Sequence, residues 1–280
     1  GTVTMAGSGK SITNSGTATF WGLGIGGATS TASSFTVNSS LGGAASLTAT
    51  AGAVTFNGET TTFGGTHNLF NVDVPSTKGL TLSSNATLGV AGALTSNGSF
   101  NATASGATVE YNGSGAQNTL LTNYHHLRLS NAGTKTFATG TTRIAGDLTV
   151  TGATADATTN ASTIEYNGSG AQTVAAITYR NLTVNKSAGT ADYSAGSNQS
   201  ITENLTISGS GKLLLSIPIL NVAGNISINS GTLETSGSSE IDLKGNWSRV
   251  TSATFTPNNG RVTFSGSTAQ TVAATGFHNL

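Results

Sequence analysis

The chain has no cysteine, only three prolines, and charged residues that amount to 8% of 280 positions and sum to zero. Without cysteine there are no disulfide staples. Stability must come from packing and backbone pairing, and such a chain crosses an oxidising compartment without mispairing. Zero net charge removes the basic footprint that a nucleic-acid binder needs. The longest apolar run, Leu213 to Leu220, contains Pro218 and falls well short of a membrane span. Nowhere do apolar residues recur at helical spacing for long enough to nucleate a helix, and the abundant Thr and Gly are poor helix formers. Gly and Ser are plentiful enough to resemble a disordered segment, but 36% of residues are apolar and the net charge is nil, which excludes that class.

The apolar residues lie in short runs that alternate with polar ones. Leu80-Thr81-Leu82, Leu148-Thr149-Val150, Leu205-Thr206-Ile207 and Glu240-Ile241-Asp242-Leu243 all follow the period of two that buries one face of a strand. Asn-Gly, Ser-Gly and Ala-Gly pairs separate them as turn signals. The chain also repeats itself. EYNGSGAQ at Glu110–Gln117 recurs unchanged at Glu165–Gln172, and the match runs on in the same register from Tyr124–Leu129 to Tyr179–Val184. Weaker copies place Val54 on Val109 at the same interval, and Ile164 on Val262 at a longer one. The copies span approximately 1–52, 53–107, 108–162, 163–260 with about two extra turns, and 261–280.

A short strand with one buried face cannot fold alone, whereas repeated strands stacked in register bury that face together. The expected fold is therefore all-β, a right-handed parallel β-helix (β-solenoid) built from ~55-residue repeats, forming one continuous repeat rod over 1–280. At roughly 18 to 28 residues per turn, about 10 to 15 turns would make a rod on the order of 50–70 Å long. A tandem β-sandwich array is the alternative, but one repeat is short for an independent all-β domain. The apolar partners Val54, Val72, Val109, Leu127, Ile164, Leu182, Val262 and Leu280 should line the interior. The chain opens within a repeat and shows no signal peptide, so residues 1–280 are expected to be an excerpt of a longer polypeptide.

The pattern V-x-[YF]-N-G-x-G-x-Q-T…[YF]-x-N-L-x-V, with a Gly-rich segment and L-T-[VI]-x-G after it, resembles the tandem β-strand repeats of very large secreted bacterial surface proteins. These are adhesin-like parallel β-helix proteins and, more distantly, filamentous-haemagglutinin-type rods. The resemblance covers essentially the whole chain. It implies an extracellular, cell-surface scaffold whose partners are neighbouring repeats of the same polypeptide, or identical subunits end to end, and surface glycans. Two copies depart from the pattern: Phe20-Trp21-Gly22-Leu23 in copy one lacks the Asn, and Gly58-Glu59-Thr60 in copy two replaces Gly-Ser-Gly.

Chemistry-bearing motifs are sparse. Asn71, His126, Asn181 and Asn279 share one repeat position, and Gln117, Gln172 and Gln270 share another, with Thr62 and Ser11 at equivalent places. Such residues at turns are expected to bond backbone, and their own counterparts on adjacent turns, as structural ladders. His125 and His126 should point to opposite faces of a strand and so grip no common metal. Glu110 and Glu165 suggest the carboxylate pair of a glycosidase, but Thr occupies their place in other copies, and they read as solvated outer-face residues. Gly7-Ser8-Gly9-Lys10-Ser11 lacks the first glycine and the following helix of a phosphate loop. No catalytic residue, metal site or cofactor is expected. The functional expectation is a non-catalytic rod segment of a surface filament or fibrous adhesin. The alternatives are a carbohydrate-binding or carbohydrate-cleaving β-helix and a self-assembling filament subunit.

Overall fold

Period-two alternation produces strands, and the Asn-Gly and Ser-Gly pairs end them after a few residues. In the computed structural model, which describes residues 1–16 and 18–279, the described residues form 36 strands and no helix. Strand pairings run parallel, and the chain is an all-β, parallel β-solenoid of about 12 turns. Parallel pairing excludes the sandwich alternative, whose sheets are antiparallel. Two compact units are present, Gly1–Lys135 with Thr149–Thr154, and Thr136–Leu148 with Ala155–Leu280.

The first turns of the first unit contribute two strands each, because long strands run across a corner: Phe35–Gly42 pairs with both Ala53–Phe56 and Thr61–Phe63. From Ala53 on each turn contributes three. Ala53–Phe56, Thr61–Phe63 and Thr66–Leu69 are followed by Asn71–Val74, Gly79–Leu82 and Thr87–Val90, then by Leu94–Ser96, Ser99–Asn101 and Thr108–Tyr111. Val54 lies beside Val72 and Val72 beside Leu94, so successive turns are unequal in length. Thr61, Leu80 and Phe100 form a second column, and His67, Leu88 and Val109 a third. The second unit uses the same plan. Ile164, Leu182, Leu205, Ile226 and Trp247 stack in one column. Ala191, Leu213, Leu233 and Phe255 form another, and Leu220, Ile241 and Val262 the third.

Val54, Val72, Val109 and Leu127 are buried in the first unit, and Ile164, Leu182 and Val262 in the second, each at most 1% exposed. Each such side chain contributes about 1.5–3 kcal/mol through burial. Leu280, expected beside them, lies outside the described residues. The sequence repeat is not a whole number of turns. From the strand of Val54 to that of Val109 is eight strands, two turns and two thirds, so the two valines occupy different sheets. From Ile164 four whole turns lead to Trp247, and Val262 lies two thirds of a turn beyond it, so these two also lie in different sheets.

One core position in the third column of the first unit is a histidine. His67 is fully buried, its Nδ1 accepts the Leu47 N–H at 3.1 Å, and its ring meets Phe63 edge-on. Burial pushes its pKa down to about 4, partly opposed by a backbone hydrogen bond at Gly64. The unfolded chain takes up this proton near pH 6.5 and the folded chain only near 4, so acidification through that interval favours unfolding. We expect the first unit to lose about 3 kcal/mol between pH 6.5 and 4. His67→Gln, which retains an acceptor for Leu47, should flatten that loss in thermal melts recorded across the interval. Asp156 is distinct: its burial is outweighed by hydrogen bonds from Thr158 and Thr159, which hold its pKa at about 2, so its contribution fades only below about pH 4.

Candidate functional site

The most repeated chemistry in the chain sits at the corner that follows strands such as Thr108–Tyr111, Ser162–Tyr166 and Arg261–Phe264. Here the chain turns so tightly that the glycine packs on the previous turn. A Cβ on Gly113, Gly168 or Gly266 would overlap the carbonyl oxygen of Ala91, Ala145 or Lys244 respectively. Only glycine permits that approach. Four residues on, glutamine closes the corner. The Gly113 N–H donates to Gln117 Oε1 at 2.9 Å, while Gln117 Nε2 donates to the carbonyls of Val90 and Gly92 on the preceding turn. Gln172 repeats this with Gly168, Ile144 and Gly146, and Gln270 with Gly266, Leu243 and Gly245.

The same corner holds two buried lysines that the repeat pattern did not reveal. Lys135 Nζ donates to the Gly113 and Gly115 carbonyls at 2.6 and 2.8 Å. Lys186 Nζ donates to the Gly168 and Gly170 carbonyls, both at 2.8 Å, and to Gln172 Oε1 at 2.7 Å. Both side chains are fully buried, and desolvation lowers their pKa. The stretch of chain from Gln172 to Lys186 is shorter than that from Gln117 to Lys135, so no common register marks them. The available signal was alternation: Thr134-Lys135-Thr136 and Val184-Asn185-Lys186 place each lysine at an inward position of its strand.

The repeated tyrosines are interior as well. Tyr124 donates to the Leu120 carbonyl, the Leu120 N–H donates to Tyr111, and Tyr111 therefore donates to Tyr124, closing a circuit. Tyr166, Tyr179 and Ala175 reproduce it. Burial raises the pKa of Tyr111 and Tyr166 to about 12, and pushes those of Tyr124, Tyr179 and Tyr193 well above the ordinary phenol value.

The residues of the shared Asn/His position do not stack on one another, because the repeat and the turn are out of phase. In the first unit Asn71 and His126 lie in different sheets: Asn71 pairs with Ala53, and His126 with Thr108. In the second unit Asn181 pairs with Thr163, whereas Asn279 bridges Arg261. Asn71 Oδ1 instead accepts the Ala93 N–H. Asn181 heads a ladder of other asparagines, in which Oδ1 of Asn181, Asn204, Asn225 and Asn246 accepts the N–H of Asn204, Asn225, Asn246 and Thr271 in turn. Asn279 Nδ2 lies 2.9 Å from His278 Nδ1.

Two details differ from expectation. Glu110 is only partly exposed and Glu165 is buried, so neither is a freely solvated outer-face residue. Glu110 pairs with Arg128 and accepts from Ser130, and the buried Glu165 pairs with Arg143 at 3.1 Å and accepts from Asn185. Arginine on the neighbouring turn draws each carboxylate onto the sheet. His125 and His126 do not diverge; their rings meet at 4.3 Å, because His125 lies outside the strand His126–Ser130 and escapes its alternation. Comparison with protein-family models, curated proteins and solved structures finds no match to this chain.

Two outcomes are expected. Gln172→Ala strips acceptor and donors from a closed corner, costing about 3 kcal/mol, and should speed hydrogen exchange at the Gly168 amide. Absorbance at 295 nm should show none of the five tyrosines ionising below about pH 11 while the chain is folded. Because the unfolded phenols ionise near pH 10, stability should fall as pH rises from about 10 to 12.

Proposed function

We propose that the chain is a non-catalytic structural segment of an extracellular cell-surface filament or fibrous adhesin, with neighbouring repeats or identical subunits as its partners. One observation carries this. The repeated polar side chains, Gln117, Gln172, Gln270, Lys135, Lys186 and the tyrosine pairs, are spent on main-chain groups of their own or an adjacent turn. An enzyme keeps uncommitted acids and bases around a substrate; a scaffold uses its polar groups to fix backbone. Glu110 and Glu165 fit the second pattern, since each is tied to an arginine of its own unit.

Intact cells of the producing organism should bind an antibody raised against the chain, and brief proteolysis should leave the epitope in place. Labelling that requires permeabilisation would refute the proposed location. The purified chain should release no reducing ends from polysaccharides. A release that disappears in folded Glu110→Ala/Glu165→Ala protein would replace the scaffold with a glycosidase.

A further inference from the structure

The two places where the repeat departs from its own pattern meet in space. Trp21 of copy one and Asn57-Gly58-Glu59-Thr60 of copy two line one groove of about 560 Å³, with Asn38 between them and Lys78 beyond. A bulge shapes it. Phe20 pairs with Val37 and Gly22 with Ser40, so Asn38 and Ser39 both stand opposite Trp21, and the pairing is interrupted where the indole emerges. Such irregularities re-aim side chains and are enriched beside binding sites. Trp21 is 62% exposed, whereas Trp247, the other tryptophan, is 1% exposed.

Copy two has Thr62 where copies three to five have the clamping glutamine, so no glutamine amide takes up the polar groups here. The side chains of Asn57, Glu59, Thr60 and Lys78 carry no hydrogen bond or ion pair to the described residues, and Asn38 Oδ1 is buried without a partner. A buried acceptor left unpaired is destabilising, and turning the Asn38 amide toward a ligand donor would relieve it. We propose that this groove binds a β-linked oligosaccharide, stacking one sugar on Trp21 and hydrogen-bonding its hydroxyls to Asn38, Asn57, Glu59 and Thr60.

The chemistry fits on both sides. The C–H face of a pyranose is apolar and weakly positive, suited to the negative face of an indole. Hydroxyls supply the donors that Asn38 and Glu59 accept, and the acceptors that Lys78 and Thr60 can serve. The groove crosses four successive turns, about 14 Å at a strand spacing of about 4.8 Å. That spacing is close to the advance of one sugar along an extended β-linked chain, so several sugars can meet successive turns. This site goes beyond the scaffold role and does not rest on it.

Fluorescence tests the site directly, with buried Trp247 as an internal reference. Titration with cellohexaose, chitohexaose and laminarihexaose should give, for at least one, a saturable change in Trp21 emission and protection from acrylamide quenching. Trp21→Ala, which should melt as the parent does, should weaken binding by calorimetry at least about tenfold. Asn38→Ala and Glu59→Gln should weaken it about three- to tenfold, and Trp21→Phe should retain part. The proposal is overturned if none of the three sugars changes Trp21 emission, or if Trp21→Ala binds as the parent does. It is equally overturned if sedimentation shows Trp21 shielded by association of two chains.

Discussion

Hydrogen bonding from each turn to the next is the constraint on which both units depend. A strand of three to five residues has too little buried area to hold itself, and its pairing groups point along the stack instead of back on itself. Once successive turns must pair in register, corners must be tight and interior residues must alternate. Any carbonyl left over at a corner then needs a donor. Gly113 and Gly168 meet the first demand, the Val, Leu and Ile columns the second, and Gln117, Gln172, Lys135 and Lys186 the third. A lysine is a costly interior residue. It is tolerated here because its ammonium replaces water as the donor to two or three convergent oxygens.

Much of this was legible in the residues. Alternation identified Val109, Leu127, Ile164 and Leu182 as interior, and the recurrence of Asn-Gly marked the corners. What could not be read was the phase between repeat and turn, because turns differ in length, as the steps from Val54 to Val72 and from Leu182 to Leu205 do, and no residue type marks a face. For that reason Asn71 and His126 do not stack, and the true ladder of Asn181, Asn204, Asn225 and Asn246 follows the turn instead of the repeat. Lys135 and Lys186 escaped notice because lysine is ordinarily a surface residue, and only their partners explain their burial. The groove at Trp21 was visible only as two unrelated departures from a motif; the fold brings them together.

The two kinds of corner divide the labour of the chain. Where Gln117, Gln172 and Gln270 close the corner, the glutamine amide is taken up by backbone groups, although Asn112 Oδ1 and Asn167 Oδ1 beside two of them stay buried without a partner. Where Thr62 stands in that place, Thr61 is buried against Gly58 and the side chains of Asn57, Glu59 and Thr60 are left exposed. Stability and recognition thus occupy equivalent positions of one repeat, separated by the exchange of Ser-Gly-Ala-Gln for Glu59-Thr60-Thr61-Thr62.

The mismatch between an eight-strand period and a three-strand turn bears on how such a chain can lengthen. Duplicating one copy inserts two turns and two thirds, which carries everything downstream to a different face and re-aims any surface feature there. Only gains or losses that amount to whole turns preserve facing. Unequal recombination among near-identical copies, the usual way a tandem array grows, would therefore act as a rotary device. It would change the direction in which a groove or epitope is displayed while leaving the interior columns intact.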